Sequence, residues 1–185
     1  MDPADIDSIF ITHAHPDHVG GTLNEDGNPY YKNAKYYIWK DEWDFWFSDL
    51  ALEKTNEFFV NVAREQLGLV KDKMVFLEEE SEILPGIAVI FAPGHTPGHL
   101  VVSFSSAGEE LYYVGDAVLH TLHLEHPDWL PIYDILPDKA AESKKKIFDL
   151  VSERKSWVIG QHFTPFPSLG HVNKIETGWK WIEES

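Results

Sequence analysis

The chain of 185 residues carries 31 acidic and 15 basic side chains, a net charge of −16 with histidine neutral. That balance opposes non-specific binding to nucleic acid or anionic membrane, and no segment approaches the ~18 uninterrupted apolar residues of a membrane span. Cysteine is absent, so disulfides and thiolate ligands are excluded, and any metal must be held by histidine and carboxylate. The 43% apolar content, with seven Trp and eleven Phe, suits a globular chain with much apolar surface to bury. One domain over 1–185 is expected. The acidic start Met1-Asp2-Pro3-Ala4-Asp5 lacks the apolar stretch of a secretory signal, so a cytoplasmic location is expected. The basic run Lys144-Lys145-Lys146 reads as a solvated helix face.

In chain order, Asp5 to Thr12 reads as a strand through Ile6, Ile9, Phe10 and Ile11, and Val19-Gly20-Gly21-Thr22 as the start of a short helix. Asn24 to Asn33 is a loop, Lys35 to Trp39 a strand, and Asp41 to Asp49 an aromatic helix. Asn56 to Leu67 forms a helix stopped by Gly68. Met74 to Leu77 and Gly86 to Phe91 are strands. His99 to Ser105 and Glu110 to Val114 form a hairpin around Ala107-Gly108. His120 to Pro137 is a long irregular segment, and such segments tend to be functional. Asp138 caps a helix reaching about Lys155, followed by strands at Trp157 to Ile159, Val172 to Ile175 and Trp179 to Ile182. There is no internal repeat and no linker composition.

The densest chemistry is Thr12-His13-Ala14-His15-Pro16-Asp17-His18, directly after Ile9-Phe10-Ile11. Two imidazoles at i and i+2 on a loop can reach one cation, while Asp17 and His18 face elsewhere and can reach a second. This donor set suits zinc, and also iron or manganese. A histidine-rich surface loop is the bland alternative. Against it stand Pro93-Gly94-His95-Thr96-Pro97-Gly98-His99, Val114-Gly115-Asp116 and Gly160-Gln161-His162. His13, Asp17, His95, Asp116 and His162 each lie just past the C-terminal end of an expected strand, where ligands can converge without breaking backbone pairing.

These four motifs, in this order and over nearly the whole chain, resemble the metallo-β-lactamase fold superfamily. The resemblance implies an α/β fold, an αβ/βα sandwich. It implies that His13, His15 and His95 hold one metal, that Asp17, His18 and His162 hold a second, and that Asp116 bridges them. Two divalent ions, zinc foremost and iron or manganese as alternatives, would share a hydroxide that attacks a small ester, lactone or phosphotriester. Asp17 would orient that hydroxide. Lactonases of the superfamily often place a Tyr just after the bridging Asp. Here Leu119 is the third residue after Asp116, so that role is open or falls to a histidine. His120 and His123 are candidate catalytic residues for proton donation to the leaving group or for lining the pocket; a polar surface or satisfied core residue is the bland reading. His126 is a weaker candidate for the same role. His99 and His171 read as structural, or as supporting a ligand, rather than as ligating.

The segment from Asp116 to His162, with His126-Pro127-Asp128-Trp129, Tyr133-Asp134 and the following Phe163-Thr164-Pro165-Phe166-Pro167, looks like the branch of methyl parathion hydrolase and related lactonases and esterases. The chain stops too soon for the helical domain of glyoxalase II, and lacks the cysteine of one β-lactamase subclass. The fold also hosts iron-dependent oxidative chemistry of the sulfur dioxygenase kind. Retention of Asp17, His18 and His162 argues for two filled sites instead. Trp43-Asp44-Phe45-Trp46-Phe47 has two readings, helix packing, or a pocket wall or subunit interface.

Only twelve residues precede the first motif, where the superfamily usually places several strands. An N-terminally truncated sandwich with an incomplete first sheet is therefore expected, and with it a homo-oligomer that covers the exposed face. A metal-binding module inactivated by truncation is a third reading. The expected partner is a small-molecule substrate, with no nucleic acid and no membrane.

Overall fold

A computed structural model describes residues 1–165 and 168–184. Backbone contacts divide the chain into two compact units, Met1–Glu78 and Glu79–Ser185.

The first unit is built on a three-stranded parallel sheet of β1 (Ser8–Ile11), β2 (Lys35–Trp39) and β3 (Met74–Leu77), in the order β1-β2-β3. Tyr36 to Trp39 of the central strand are all buried, as expected for a parallel strand covered on both faces. Phe10 and Tyr37, partners in the register, stack at 4.8 Å. The strand expected from Asp5 starts later because Asp2 and Asp5 form a reciprocal capping box around the turn Pro3–Asp5.

The helix expected at Val19 instead ends there. α1 (Pro16–Val19) begins at Pro16, whose fixed φ suits the first helical turn. The aromatic helix also ends earlier. α2 (Lys40–Trp46) is followed by α3 (Asp49–Lys54), because Ser48 is extended at the junction. α4 (Glu57–Gly68) matches its sequence pattern. Asn56 caps the Phe58 N–H, and Val60, Ala63 and Leu67 face inward at helical spacing. Arg64 of α4 donates from Nε to the Trp46 carbonyl at 2.8 Å and from a terminal nitrogen to the Ser48 carbonyl at 2.8 Å, tying down the end of α2.

The second unit is a seven-stranded sheet. Its strands are β4 (Glu82–Leu84), β5 (Ile87–Phe91), β6 (Leu100–Ser106), β7 (Glu109–Tyr113), β8 (Trp157–Ile159), β9 (Leu169–Lys174) and β10 (Trp179–Glu183), in spatial order β10-β9-β8-β7-β6-β5-β4. Only β7 and β8 run parallel. Their crossover carries α5 (Leu122–Glu125) and α6 (Pro137–Arg154). Ala107 and Gly108, both at positive φ, close the β6–β7 hairpin as expected.

β4 was not expected. It is a three-residue edge strand, too short to show a period. α5 interrupts the segment expected to be irregular. α6 starts at Pro137, one residue before the expected cap, with Leu136 at the N-cap position and no side-chain cap. Ile147, Phe148 and Val151 of α6 form a core with Val101, Tyr112 and Val158 of the sheet. Lys144 corrects the reading of the basic run. Only Lys145 and Lys146 are exposed, whereas Lys144 is buried and donates to the carbonyls of Pro127 and Trp129, both at 3.2 Å. Among the described residues no helix is long and apolar enough to cross a membrane.

Candidate metal centre

Each unit presents its own cluster of donor side chains. In the first, β1 delivers the chain into the loop at Thr12, and α1 turns it back at once. Thr12, His13, Ala14 and His15 are all buried, His18 is half-buried and Asp17 is exposed. His13 Nε2 and His15 Nδ1 are 3.2 Å apart, and the His13 and His18 rings approach to 4.0 Å between centroids. Asp17 Oδ2 lies 3.4 Å from His18 Nε2. The His15 ring is edge-packed by Trp46 of α2 and Phe59 of α4. Glu42, fully buried in α2, accepts the Ala14 N–H at 2.9 Å.

In the second unit three strand ends converge. His95 follows β5, Asp116 follows β7 and His162 follows β8. One oxygen, Asp116 Oδ2, lies 3.3 Å from His95 Nε2 and 3.3 Å from His162 Nε2. The turn that carries His95 needs glycine. Gly94 sits at φ +147, and a Cβ there would fall 2.2 Å from the Ala140 backbone of α6. Ser143 of α6 donates to the Pro93 carbonyl at 2.6 Å.

Two further residues of this unit support the cluster, Asp134, which was not singled out from sequence, and His99, which was read as structural or supporting. Asp134 Oδ1 lies 3.1 Å from His95 Nδ1, and the next two residues pair with the same turn, Ile135 N–H to the His95 carbonyl and Leu136 N–H to the Gly94 carbonyl. Carboxylates in this position fix the ring and tautomer of a metal-ligating histidine. No spacing rule would find Asp134, since it lies 39 residues from His95. His99, read as structural, is fully buried, and its Nε2 accepts the Asp116 N–H at 3.1 Å.

Burial by itself would lower the His95 imidazole. Hydrogen bonds to Asp116 and Asp134 outweigh it and push the group up to about 9. The two carboxylates therefore draw positive charge to this point.

The separations also match the spacing of ligands around a cation. Charge-assisted N–H···O⁻ bonds run at roughly 2.7–2.9 Å. Nitrogen or oxygen ligands about 2.0–2.1 Å from a tetrahedral zinc stand roughly 3.3–3.4 Å apart. The pairs His13–His15, His95–Asp116 and His162–Asp116, at 3.2, 3.3 and 3.3 Å, lie near the second range. With neither thiolate nor lysine in the set, the donors suit a borderline divalent ion.

His120 lies two residues before the short helix α5 and His123 within it, with ring centroids 6.4 Å apart. Among the described residues neither hydrogen-bonds to His95, Asp116 or His162. His120 Nδ1 accepts the Leu122 N–H at 3.1 Å. Burial, then Lys144 and His120, lowers the His123 imidazole below its usual value, so it is neutral at pH 7. His171 donates or accepts nothing toward the cluster; its Nδ1 meets the Ser156 carbonyl at 2.9 Å and its ring lies on Trp157. Phe166 and Pro167 lie outside the described residues. Of the aromatic run, Phe45 and Trp46 are buried, whereas half-buried Trp43 stacks on the exposed Phe47.

A family model described as the metallo-beta-lactamase superfamily matches residues 1–162. Among curated proteins the chain is similar to an N-acyl homoserine lactonase of Bacillus cereus, at 25% identity over 98% of this chain and 62% of the relative. It is likewise similar to one of Bacillus thuringiensis, at 25% identity over 87% of this chain and 57% of the relative. Among solved structures, AidC, a dizinc quorum-quenching lactonase in complex with a product, superposes with TM-score 0.89 and 32% identity over 99% of this chain and 66% of its own. The hydrolase AbOPH superposes with TM-score 0.89 and 28% identity over all of this chain and 66% of its own. The lactonase-like resemblance read from the motifs thus agrees with these relatives. The chain spans about three fifths of the length of the curated relatives it matches.

Proposed function

We propose that this chain, which belongs to the metallo-beta-lactamase superfamily and has its mixed α/β fold, is a dinuclear metallohydrolase that opens lactones of the N-acyl homoserine type. Both units together form its single domain in this reading. On the motif resemblance, His13, His15 and His95 would hold one ion and Asp17, His18 and His162 the other, with Asp116 shared by both. The observation that carries the reading is the single carboxylate oxygen of Asp116, 3.3 Å from two imidazole nitrogens delivered by different strands. A carboxylate oxygen at ligand-to-ligand spacing from two imidazoles suits a group that serves neighbouring cations. The dizinc lactonase neighbour and the lactonase relatives support both the metal count and the substrate class.

When bound, two divalent ions supply Lewis acidity toward the carbonyl and lower the pKa of water toward ~7. The remaining work falls to side chains. Asp17, exposed at the start of α1, accepts a hydrogen bond from the attacking water and orients it. Asp116 and Asp17 offset cation charge, and Asp134 holds His95 Nε2 toward Asp116. Hydrolysis adds water across the ring ester: the acyl C–O bond breaks, the carboxylate forms and the ring oxygen leaves as a hydroxyl after protonation. His123, neutral at pH 7, serves as a hydrogen-bond donor beside the substrate rather than as a store of protons.

Metal content per chain, measured on protein purified without added metal, tests this together with a panel of acyl homoserine lactones, simple esters and a phosphotriester. Two zinc per chain with lactone turnover is the expected result. One iron with oxygen uptake would replace hydrolysis by oxidative chemistry. Two metals with no turnover of any ester would leave a binding module and sink the assignment.

A further inference from the structure

We propose that Glu42 is a positioning residue that sets the geometry of the His13–His15 loop through the Ala14 amide. The inference rests on the reading of His13 and His15 as ligands. Glu42 has no place in that ligand set, yet it is fully buried, an unusual fate for a carboxyl group without a specific task.

Its location follows from the sheet. β1 and β2 are parallel neighbours with Ile11 beside Ile38, so their C-terminal ends lie side by side. β1 runs on into the histidine loop, and β2 runs directly into α2. Glu42, the third residue of α2, therefore faces a backbone 28 residues earlier in the chain. Its Oε1 accepts two bonds, from the Ala14 N–H at 2.9 Å and from Trp46 Nε1 at 2.6 Å.

Ala14 is the residue between the two histidines, and its N–H lies in the rigid peptide plane that joins it to His13. Fixing that amide restricts the backbone from which both imidazoles project. Trp46 adds a second hold. Its indole, held by the same oxygen, packs edge-on against His15 at 5.5 Å, and the end of α2 is in turn tied down by Arg64. One acceptor atom thus links the loop backbone to the wall around one of its imidazoles. The β1–β2 register ends at Ile11 and Ile38, and this bond ties down backbone just past that end.

The test uses Glu42→Gln, Glu42→Ala and Trp46→Phe in this chain, with two readouts. One is zinc affinity by chelator competition, and the other is hydrogen exchange at the Ala14 amide, with thermal unfolding as a control for global stability. Glu42→Gln keeps the acceptor oxygen and should hold zinc within about threefold of wild type. Glu42→Ala should weaken zinc binding on the order of 10–100-fold and speed Ala14 exchange roughly tenfold. Trp46→Phe keeps the Ala14 bond and should leave that exchange slow. If Glu42→Ala binds zinc as wild type does, or if Glu42→Gln fails as badly as Glu42→Ala, the positioning role is wrong. The exchange readout stands even if the wild-type chain takes up no zinc, so this inference and the metallohydrolase reading fail separately.

Discussion

The first unit gathers four donor residues within six positions of chain, whereas the second gathers three from strand ends 21 and 46 residues apart, at His95, Asp116 and His162. The loop of the first unit is held through its backbone, by β1 behind it, α1 after it and the Glu42–Ala14 bond across it. The donors of the second are held through side chains. Asp134 grips one imidazole, His99 grips the Asp116 amide, and Asp116 Oδ2 touches both histidines. A contiguous cluster needs one well-placed loop. A dispersed cluster needs the whole sheet to be in register, and its precision is spread over residues far apart in sequence. Damage should therefore spread differently in the two units.

The largest expected effect comes from the one atom shared within the second cluster. Asp116→Ala removes the oxygen that both His95 and His162 approach, and should lower kcat/KM for the preferred lactone by about 10³-fold or more. Zinc content should fall from two to one or fewer per chain. Near-wild-type turnover in this variant would overturn the shared-carboxylate arrangement. Metal removal by a strong chelator should likewise abolish turnover, and added zinc should restore it. Failure of zinc to restore activity to a chain that still shows its wild-type thermal transition would argue against zinc as the working ion.

Asp134 sharpens the contrast, because its carboxylate meets the cluster at His95 Nδ1. Asp134→Ala should weaken binding of one zinc on the order of 10–100-fold, while Asp134→Asn, which keeps an acceptor oxygen, should lose less. Equal loss in both would mean that charge rather than ring orientation is what Asp134 provides.

The same contrast explains what was legible in the sequence. The histidine loop could be read directly, because its donors are contiguous and follow an apolar strand. His95, Asp116 and His162 were legible as strand-end residues within Gly-rich motifs. Asp134, Glu42 and the burial of Lys144 were not. Each depends on a contact between residues 15 or more apart, and an acidic or basic residue on an amphipathic helix looks solvated until its neighbours are known. Element ends failed for local reasons. The strand before His13 lost its first residues to the Asp2–Asp5 capping box, and Pro16 moved the start of the short helix three positions earlier than the expected Val19. The edge strand β4 was missed because three residues carry too little period to register.

Lys144 tests how far the support of the second unit reaches. It holds the carbonyls of Pro127 and Trp129, in the same segment that delivers Asp134. Lys144→Met removes both donations and should cost about 1–3 kcal/mol in chemical unfolding. The pH profile gives the sign. Burial lowers Lys144 below 10.5, so near that value the unfolded chain holds the proton more tightly than the folded one. Wild-type stability from this group should therefore rise as pH increases through the depressed value toward 10.5, and Lys144→Met should lose that rise. An unchanged slope would show that Lys144 is solvated in the folded chain.

The smallest effect is expected at His123. It is neutral at pH 7, half-buried, and without a hydrogen bond to His95, Asp116 or His162. As a hydrogen-bond donor beside the substrate it should matter less than a residue that stores the leaving-group proton. General acids typically contribute about 10²–10⁴-fold. His123→Ala should lower kcat by less than about tenfold, well under that range, with no change in zinc content and no new limb in the pH profile of kcat. A loss of a hundredfold or more, together with a lost acidic limb, would instead make His123 the proton donor. The second cluster would then extend into α5 and depend on the crossover as well as on the sheet, widening the difference between the two units.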